Sequence, residues 1–134
     1  MDLYADSILD HYRSPRQKGT LASATIIHTE KNLSCGDVIT LELHLNGEII
    51  DDIRWSGEGC AISQAAMSML AEELIGKNLN DIDALNSDDI RTMLGVPIST
   101  RRLKCALLSL HTLKNAIHGL KKEEPQSWLE TVES

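Results

Sequence analysis

Residues 55–64, Trp-Ser-Gly-Glu-Gly-Cys-Ala-Ile-Ser-Gln, separate two kinds of periodicity. On their N-terminal side, Ile49 to Trp55 is rich in β-branched and aromatic residues, as strands are. On their C-terminal side there is no glycine or proline until Gly76, and Ile62, Ala65, Ala66, Met69, Leu70 and Leu74 recur at helical spacing. Gly57 and Gly59, between the two, permit a tight turn and a close approach of backbone. Cys60 therefore stands at a helix N-terminus directly after a strand. Unpaired N–H groups and the helix dipole favour a thiolate there. A small buried cysteine in a strand-to-helix turn is the alternative.

The chain before this junction reads as strands. Ala24 to Thr29 is one, and Asn32 to Asp37 is a turn containing Cys35 and Gly36. Val38 to Leu45 alternates Val, Thr, Glu and His against Ile and Leu, the pattern of a half-buried strand, and puts Glu42 and His44 on the wet face. Asn46-Gly47 is a hairpin signal, and Glu48 to Trp55 returns as the third strand. A helix precedes all three, from Leu3 through Ile8, Leu9 and Tyr12 to a stop at Pro15, with His11 read as a surface or capping residue.

The chain after the junction reads as helices. Ala61 to Lys77 is the first, and Asn80 to Leu85 is a connecting turn. Ser87 is the expected N-cap of a helix that stops near Gly95, with Asp88 and Asp89 in its first turn. Val96 to Ser99 is a linker. A helix from about Thr100 to Gly119 carries an apolar stripe of Leu103, Leu107, Leu110, Leu113, Ala116 and Ile117. Trp128, Leu129 and Val132 mark a short tail helix. Strands first and helices after predict an α+β fold, a small three-stranded antiparallel sheet with helices packed on one face, in one domain spanning residues 1–134.

The totals exclude several functions. A net charge of −7 argues against a nucleic-acid partner. No apolar run approaches a membrane-spanning length, and the acidic start Met1-Asp2 has no basic segment of a secretory signal. Three widely spaced cysteines make a poor disulfide framework, which predicts a reducing, cytoplasmic setting.

Cys35, Cys60 and Cys105 all sit at turns or helix starts, and the predicted fold can bring them to one end of the sheet. Three thiolates with the Asp37 carboxylate would make four ligands for Zn²⁺ or for part of an iron–sulfur cluster. Spacings of 25 and 45 residues are not those of a metal motif, so three independent core cysteines remain open. Arg102 and Lys104 beside Cys105 would lower its pKa and activate it for attack on a persulfide; with Arg101 they would otherwise only solubilise a helix start.

Four segments in this order, Ile8-Leu9-Asp10-His11-Tyr12, Asn32…Cys35-Gly36-Asp37, Gly57-Glu58-Gly59-Cys60-Ala61 and Arg102-Leu103-Lys104-Cys105-Ala106, resemble the iron–sulfur cluster assembly scaffolds of the IscU/SufU type, also found as the N-terminal domain of NifU. The resemblance covers nearly the whole chain. It implies that Cys35, Asp37, Cys60 and Cys105 hold a transient [2Fe–2S] cluster or Zn²⁺, and that Cys35 and Cys105 accept sulfur. A cysteine desulfurase would be the sulfur donor, and apo iron–sulfur proteins the acceptors. A scaffold is a non-enzymatic role; the alternative is a zinc-dependent sulfurtransferase that relays sulfur without holding a cluster. Lys104 stands where the IscU branch has histidine, and Val96-Pro97 is a remnant of that branch's proline motif. Arg-x-Lys-Cys at 102–105 is similar to the SufU branch, but the 60–105 stretch is too short for that branch's insertion.

Overall fold

The computed structural model describes residues 3–134. Met1 and Asp2, and the side chains of Leu3, Tyr4 and Ala5, lie outside the described part. Helix α1 (Leu3–Arg13) leads into strands β1 (Ile26–Asn32), β2 (Asp37–Asn46) and β3 (Ile49–Glu58). Then come α2 (Ala61–Leu74), α3 (Leu79–Asp83), α4 (Ser87–Leu94), a 3-10 turn over Thr100–Arg102, α5 (Leu103–Leu120) and α6 (Trp128–Glu133). The sheet is antiparallel in the order β1-β2-β3.

The period-two alternation of β2 decides which face is covered. Ile39, Leu41 and Leu43 are fully buried, and Leu41 and Leu43 pair with the equally buried Trp55 and Ile53 of β3. α2 and α5 pack against this sheet and against each other. Burying a side chain of this size stabilises by about 1.5–3 kcal/mol, so this layer is the main source of stability. α5 is buried on almost every side from Cys105 to Ile117, because β1, β2, α2, α4 and α6 all lean on it. Among the described residues no helix is long and apolar enough to cross a membrane.

Several local expectations are corrected. β1 starts two residues and ends three residues later than the sequence pattern places it, because pairing with β2 continues through Asn32 to the turn. Glu42 is 6 % exposed rather than wet. The 16–25 segment crosses that face, bridges to β3 at Lys18–Trp55, and donates the Leu21 N–H to Glu42 Oε1 at 3.1 Å. His44 is half-exposed and meets Asp51 at 2.5 Å. The stretch expected to be a turn at 80–85 is helical as far as Asp83, within α3, which is capped by a reciprocal Asn78–Asp81 box. The N-cap of α4 is Asn86, not Ser87, since Asp89 at the third helical position completes its box. Gly119 lies within α5 rather than ending it.

Two histidines lock helices together. His11, expected at the surface, has Nδ1 2.8 Å from Ser68 Oγ on α2, where the Arg16 N–H also donates at 2.8 Å. His111 stacks on Trp128 of α6 at 4.0 Å and meets Thr131 Oγ1 at 2.7 Å. Burial lowers the pKa of both; nearby Arg16 adds to the effect at His11, and at His111 the pull of Glu30 opposes it. Both then stay neutral in the fold more readily than in the unfolded chain, whose histidines titrate near about 6.5. The unfolded chain takes up more protons below that value, so this stability is complete above it and declines as pH falls through it. The urea midpoint is expected to be lower at about pH 5.5 than at about pH 7.5 by this linkage; equal midpoints would contradict it.

Candidate metal centre

The antiparallel register brings the end of β1, the start of β2 and the end of β3 to one edge. Asn32 faces Asp37, and Val38 faces Glu58. Between Asn32 and Asp37 the chain turns tightly. The N–H groups of Cys35 and Gly36 donate to Asn32 O at 3.3 and 3.0 Å, and Gly36 takes the left-handed conformation at φ 72°. This holds Cys35 at an exposed tip and Asp37 in a buried position.

β3 runs past Trp55 to Glu58 and delivers Cys60 as the N-cap of α2. The two glycines serve different needs. Gly57 has φ 148° and lies against the Val38 carbonyl, where a Cβ would collide. Gly59 has no positive φ, contrary to the tight-turn expectation; a Cβ there would sit 2.5 Å from both Asp37 Oδ1 and Ser63 Oγ. Space for Asp37 is what Gly59 supplies.

α5 brings Cys105 in its first turn, only 1 % exposed. Its thiol donates to Cys35 Sγ at 3.0 Å and accepts from Asn32 Nδ2 at 3.8 Å. Cys35, Asp37 and Cys105 each present a ligand atom within 4.8 Å of the others. Cys60 is not in that trio, yet it lines the same cavity of about 340 Å³ with Cys35, Cys105, Arg101 and Arg102. The structure thus gathers the four sequence-derived ligand candidates at one end of the sheet, three at ligating distance and the fourth on the cavity wall.

Asp37 is the group most suited to a cation. Its carboxylate is 2 % exposed. Oδ1 accepts the Cys60 N–H at 3.1 Å, at the positive end of α2, while Oδ2 is buried without a partner. One hydrogen bond to a charged group recovers about 1.5–3 kcal/mol. Desolvating a carboxylate costs several kcal/mol, so one such bond leaves a deficit that a cation on Oδ2 would cancel. The residues present therefore fit a metal: three sulfurs and one oxygen suit tetrahedral Zn²⁺ or an iron site.

The electrostatics of Cys105 differ from expectation. Burial, then the hydrogen bond to Cys35 and the nearby Asp37 carboxylate, push its thiol far up, and no cation offsets this. Lys104 explains part of the difference: its Nζ lies 5.7 Å from the Trp128 ring centroid, and it does not line the cysteine cavity. Arg102 does, as does Arg101, for which the sequence alone implies only a solubilising role. Asn32 and Ser63 are further contributors; only the position of Asn32 at the turn hinted at its role.

Residues 3–126 match the family described as NifU-like N terminal domain. The chain belongs to this family. It includes the IscU and SufU iron–sulfur cluster assembly scaffolds. The chain is 34 % identical over 139 residues to the zinc-dependent sulfurtransferase SufU of Bacillus subtilis, covering 91 % of this chain and 92 % of that protein. It is 33 % identical over 136 residues to the iron–sulfur cluster assembly scaffold protein IscU of Thermotoga maritima, covering 90 % and 96 %. A solved structure from Fervidobacterium islandicum, of a protein described by similarity as an iron–sulfur cluster assembly scaffold for the SUF system, matches with a TM-score of 0.68 and 31 % identity, over 84 % of this chain and 94 % of that one. The α+β architecture is thus that of the family.

Gly59→Ala tests the packing of Asp37 separately from the ligands. The added methyl must displace the carboxylate, so zinc affinity, read by competition with a chromophoric chelator, is expected to fall about 10- to 100-fold, as when a ligand's support is removed. Unchanged affinity would show that Asp37 is not held as described.

Proposed function

We propose that this protein is an iron–sulfur cluster assembly scaffold. It accepts persulfide sulfur from a cysteine desulfurase, assembles a labile [2Fe–2S] cluster with ferrous iron, and passes it to apo-proteins. The observation that carries the reading is the buried Asp37 carboxylate, with one oxygen free, set among three cysteines of graded exposure.

That gradation assigns roles. Cys35 is exposed at a loop tip and can meet a partner's persulfide. Its thiolate attacks the terminal sulfur; the new S–S bond forms as the partner's breaks, and the partner's cysteine leaves as thiolate. Cys105 is buried and protonated when metal-free, so it is the second acceptor, reached through the Cys35 contact at 3.0 Å. Arg102 on the cavity wall favours the anionic sulfur species there. Cys60 and Asp37 complete the ligand set for the cargo. A carboxylate is a harder and weaker partner for cluster iron than a fourth thiolate, which keeps the cargo transferable. Turning two sulfane sulfurs into sulfide takes four electrons. Two ferrous ions supply two of these, and a reductant must supply the rest.

A second reading has its own support. Ligand atoms within 4.8 Å of one another suit a single ion, and Lys104 replaces a possible histidine ligand. Zinc held by Cys35, Asp37, Cys60 and Cys105 would keep the thiols deprotonated, and the protein would relay sulfur as a sulfurtransferase.

Anaerobic reconstitution with a cysteine desulfurase, cysteine and ferrous iron separates the two. A visible chromophore with equal iron and sulfide, transferable to apo-ferredoxin, is expected. A colourless product that stimulates the desulfurase and carries persulfide would replace the scaffold reading with the relay. Cys35→Ser is expected to abolish stable cluster, and Asp37→Ala to slow its transfer while cluster still forms. Full cluster retention by Cys35→Ser would contradict the ligand assignment.

A further inference from the structure

A second hollow lies on the other flank of Cys35. Its volume is about 350 Å³, and Cys35 and Arg101 line both it and the cysteine cavity. Ser34, Thr100 and Lys104 add polar groups to its wall, Leu103 and Val132 give it an apolar side, and no carboxylate lines it.

Charge sets this hollow apart. The chain as a whole carries −7 and repels anions at long range. Among the described residues, neither Arg101 nor Lys104 has a carboxylate within salt-bridge distance, and the same holds for Arg102 beside them. Lys104 meets the π face of Trp128, which attracts the ammonium without neutralising it. Two uncompensated cations thus share one concave site with two hydroxyls and an exposed thiol. The volume lies in the range of small-molecule sites and suits a ligand of amino-acid to tripeptide size.

The geometry points to a binding site for a small carboxylate-bearing thiol, with its carboxylate on Arg101 and Lys104 and its sulfur against Cys35. A guanidinium takes a carboxylate in paired hydrogen bonds, which orients the ligand as well as attracting it. The role of the site rests on Cys35 accepting sulfur, as proposed above. The bound thiolate attacks the terminal sulfur of the Cys35 persulfide. A new S–S bond forms to the small molecule, the S–S bond to Cys35 breaks, and Cys35 leaves as thiolate. A second molecule of the same thiol attacks the released small-molecule persulfide, giving a disulfide and hydrosulfide. Two thiols are oxidised, and one sulfane sulfur gains two electrons. The site would admit the reductant that cluster assembly needs.

Charge-selective alkylation of the metal-free full chain tests the site without any sulfur chemistry. Anionic iodoacetate and neutral iodoacetamide are compared by the rate of Cys35 modification, read on the Cys35 peptide by mass spectrometry. The thiolate fraction of Cys35 is common to both rates and cancels in their ratio, which is compared with the same ratio for a free cysteine peptide. The iodoacetate-to-iodoacetamide ratio at Cys35 is expected to exceed that of the free peptide by about fivefold or more, the scale of one partly screened ion pair. In Arg101→Gln/Lys104→Gln it is expected to fall severalfold toward the free-peptide ratio, with Arg102 of the neighbouring cavity the cation that remains beside Cys35. A wild-type ratio at or below that of the free peptide would overturn the site, as would a ratio that the double substitution leaves unchanged. On the persulfide-loaded chain, thioglycolate is expected to release sulfide faster than cysteamine after correction for thiol pKa; the reverse order would overturn the proposed reduction step. A chain that shows the alkylation selectivity but never carries persulfide on Cys35 would remove the sulfur-acceptor reading and leave the anion site standing.

Discussion

The Asp37 carboxylate, bound through one oxygen to the Cys60 N–H, joins the two halves of this protein. Asp37 begins β2 and Cys60 caps α2, so one hydrogen bond connects the sheet to the first helix laid across it. The bond exists because the strand register puts Asp37 beside the end of β3, and because Gly59 leaves the space its side chain occupies. The α2 dipole favours the negative charge at this end. The other oxygen has no protein partner, so the fold holds a buried charge that it does not fully satisfy. Such a group is unfavourable as a structural element and useful as a ligand.

The cysteines are ordered around that charge by the elements that carry them. Cys35 rides a loop tip, Cys60 a helix N-cap, and Cys105 the first turn of the most buried helix. A tip can move toward a partner, whereas a residue in α5 cannot without disturbing the core against which the helix lies. Sulfur or metal arriving from outside therefore meets Cys35 first and Cys105 last. The same α5 turn carries Arg101 and Arg102 just upstream to the rim, so the rim is cationic although the chain is acidic overall. Lys104 lines the second hollow beside Cys35 and also meets Trp128, which ties this turn to α6.

Much of this was legible in the order of residues. The change of period across Trp55–Gln64 divided strands from helices where the structure does. Asn46-Gly47 marked the β2–β3 hairpin, and the topology these imply allowed the cysteines to converge without requiring it. The departures are long-range effects. Glu42 alternates as a wet residue but is covered by a segment about twenty positions away. Gly59 reads as a turn glycine, yet its constraint is a side chain 22 residues earlier in the chain. Asn86 replaced Ser87 as a cap because both residues have capping side chains, and only the partner three positions on separates them. Lys104 sits next to Cys105 in sequence, but adjacent residues on a helix point about 100° apart, so proximity along the chain did not become proximity in space. The match to the NifU-like family agrees with the fold read from these patterns.

The most direct test of a single site built at this end of the sheet is X-ray absorption on the zinc-loaded chain. Three sulfur scatterers at about 2.3 Å and one oxygen or nitrogen at about 2.0–2.2 Å are expected for a tetrahedral set of Cys35, Cys60, Cys105 and Asp37. Replacing Asp37 by alanine should leave the three sulfurs in place. A shell with two sulfurs or fewer would mean that Cys60 on the cavity wall does not join the others, and that the convergence of these elements does not make one metal centre.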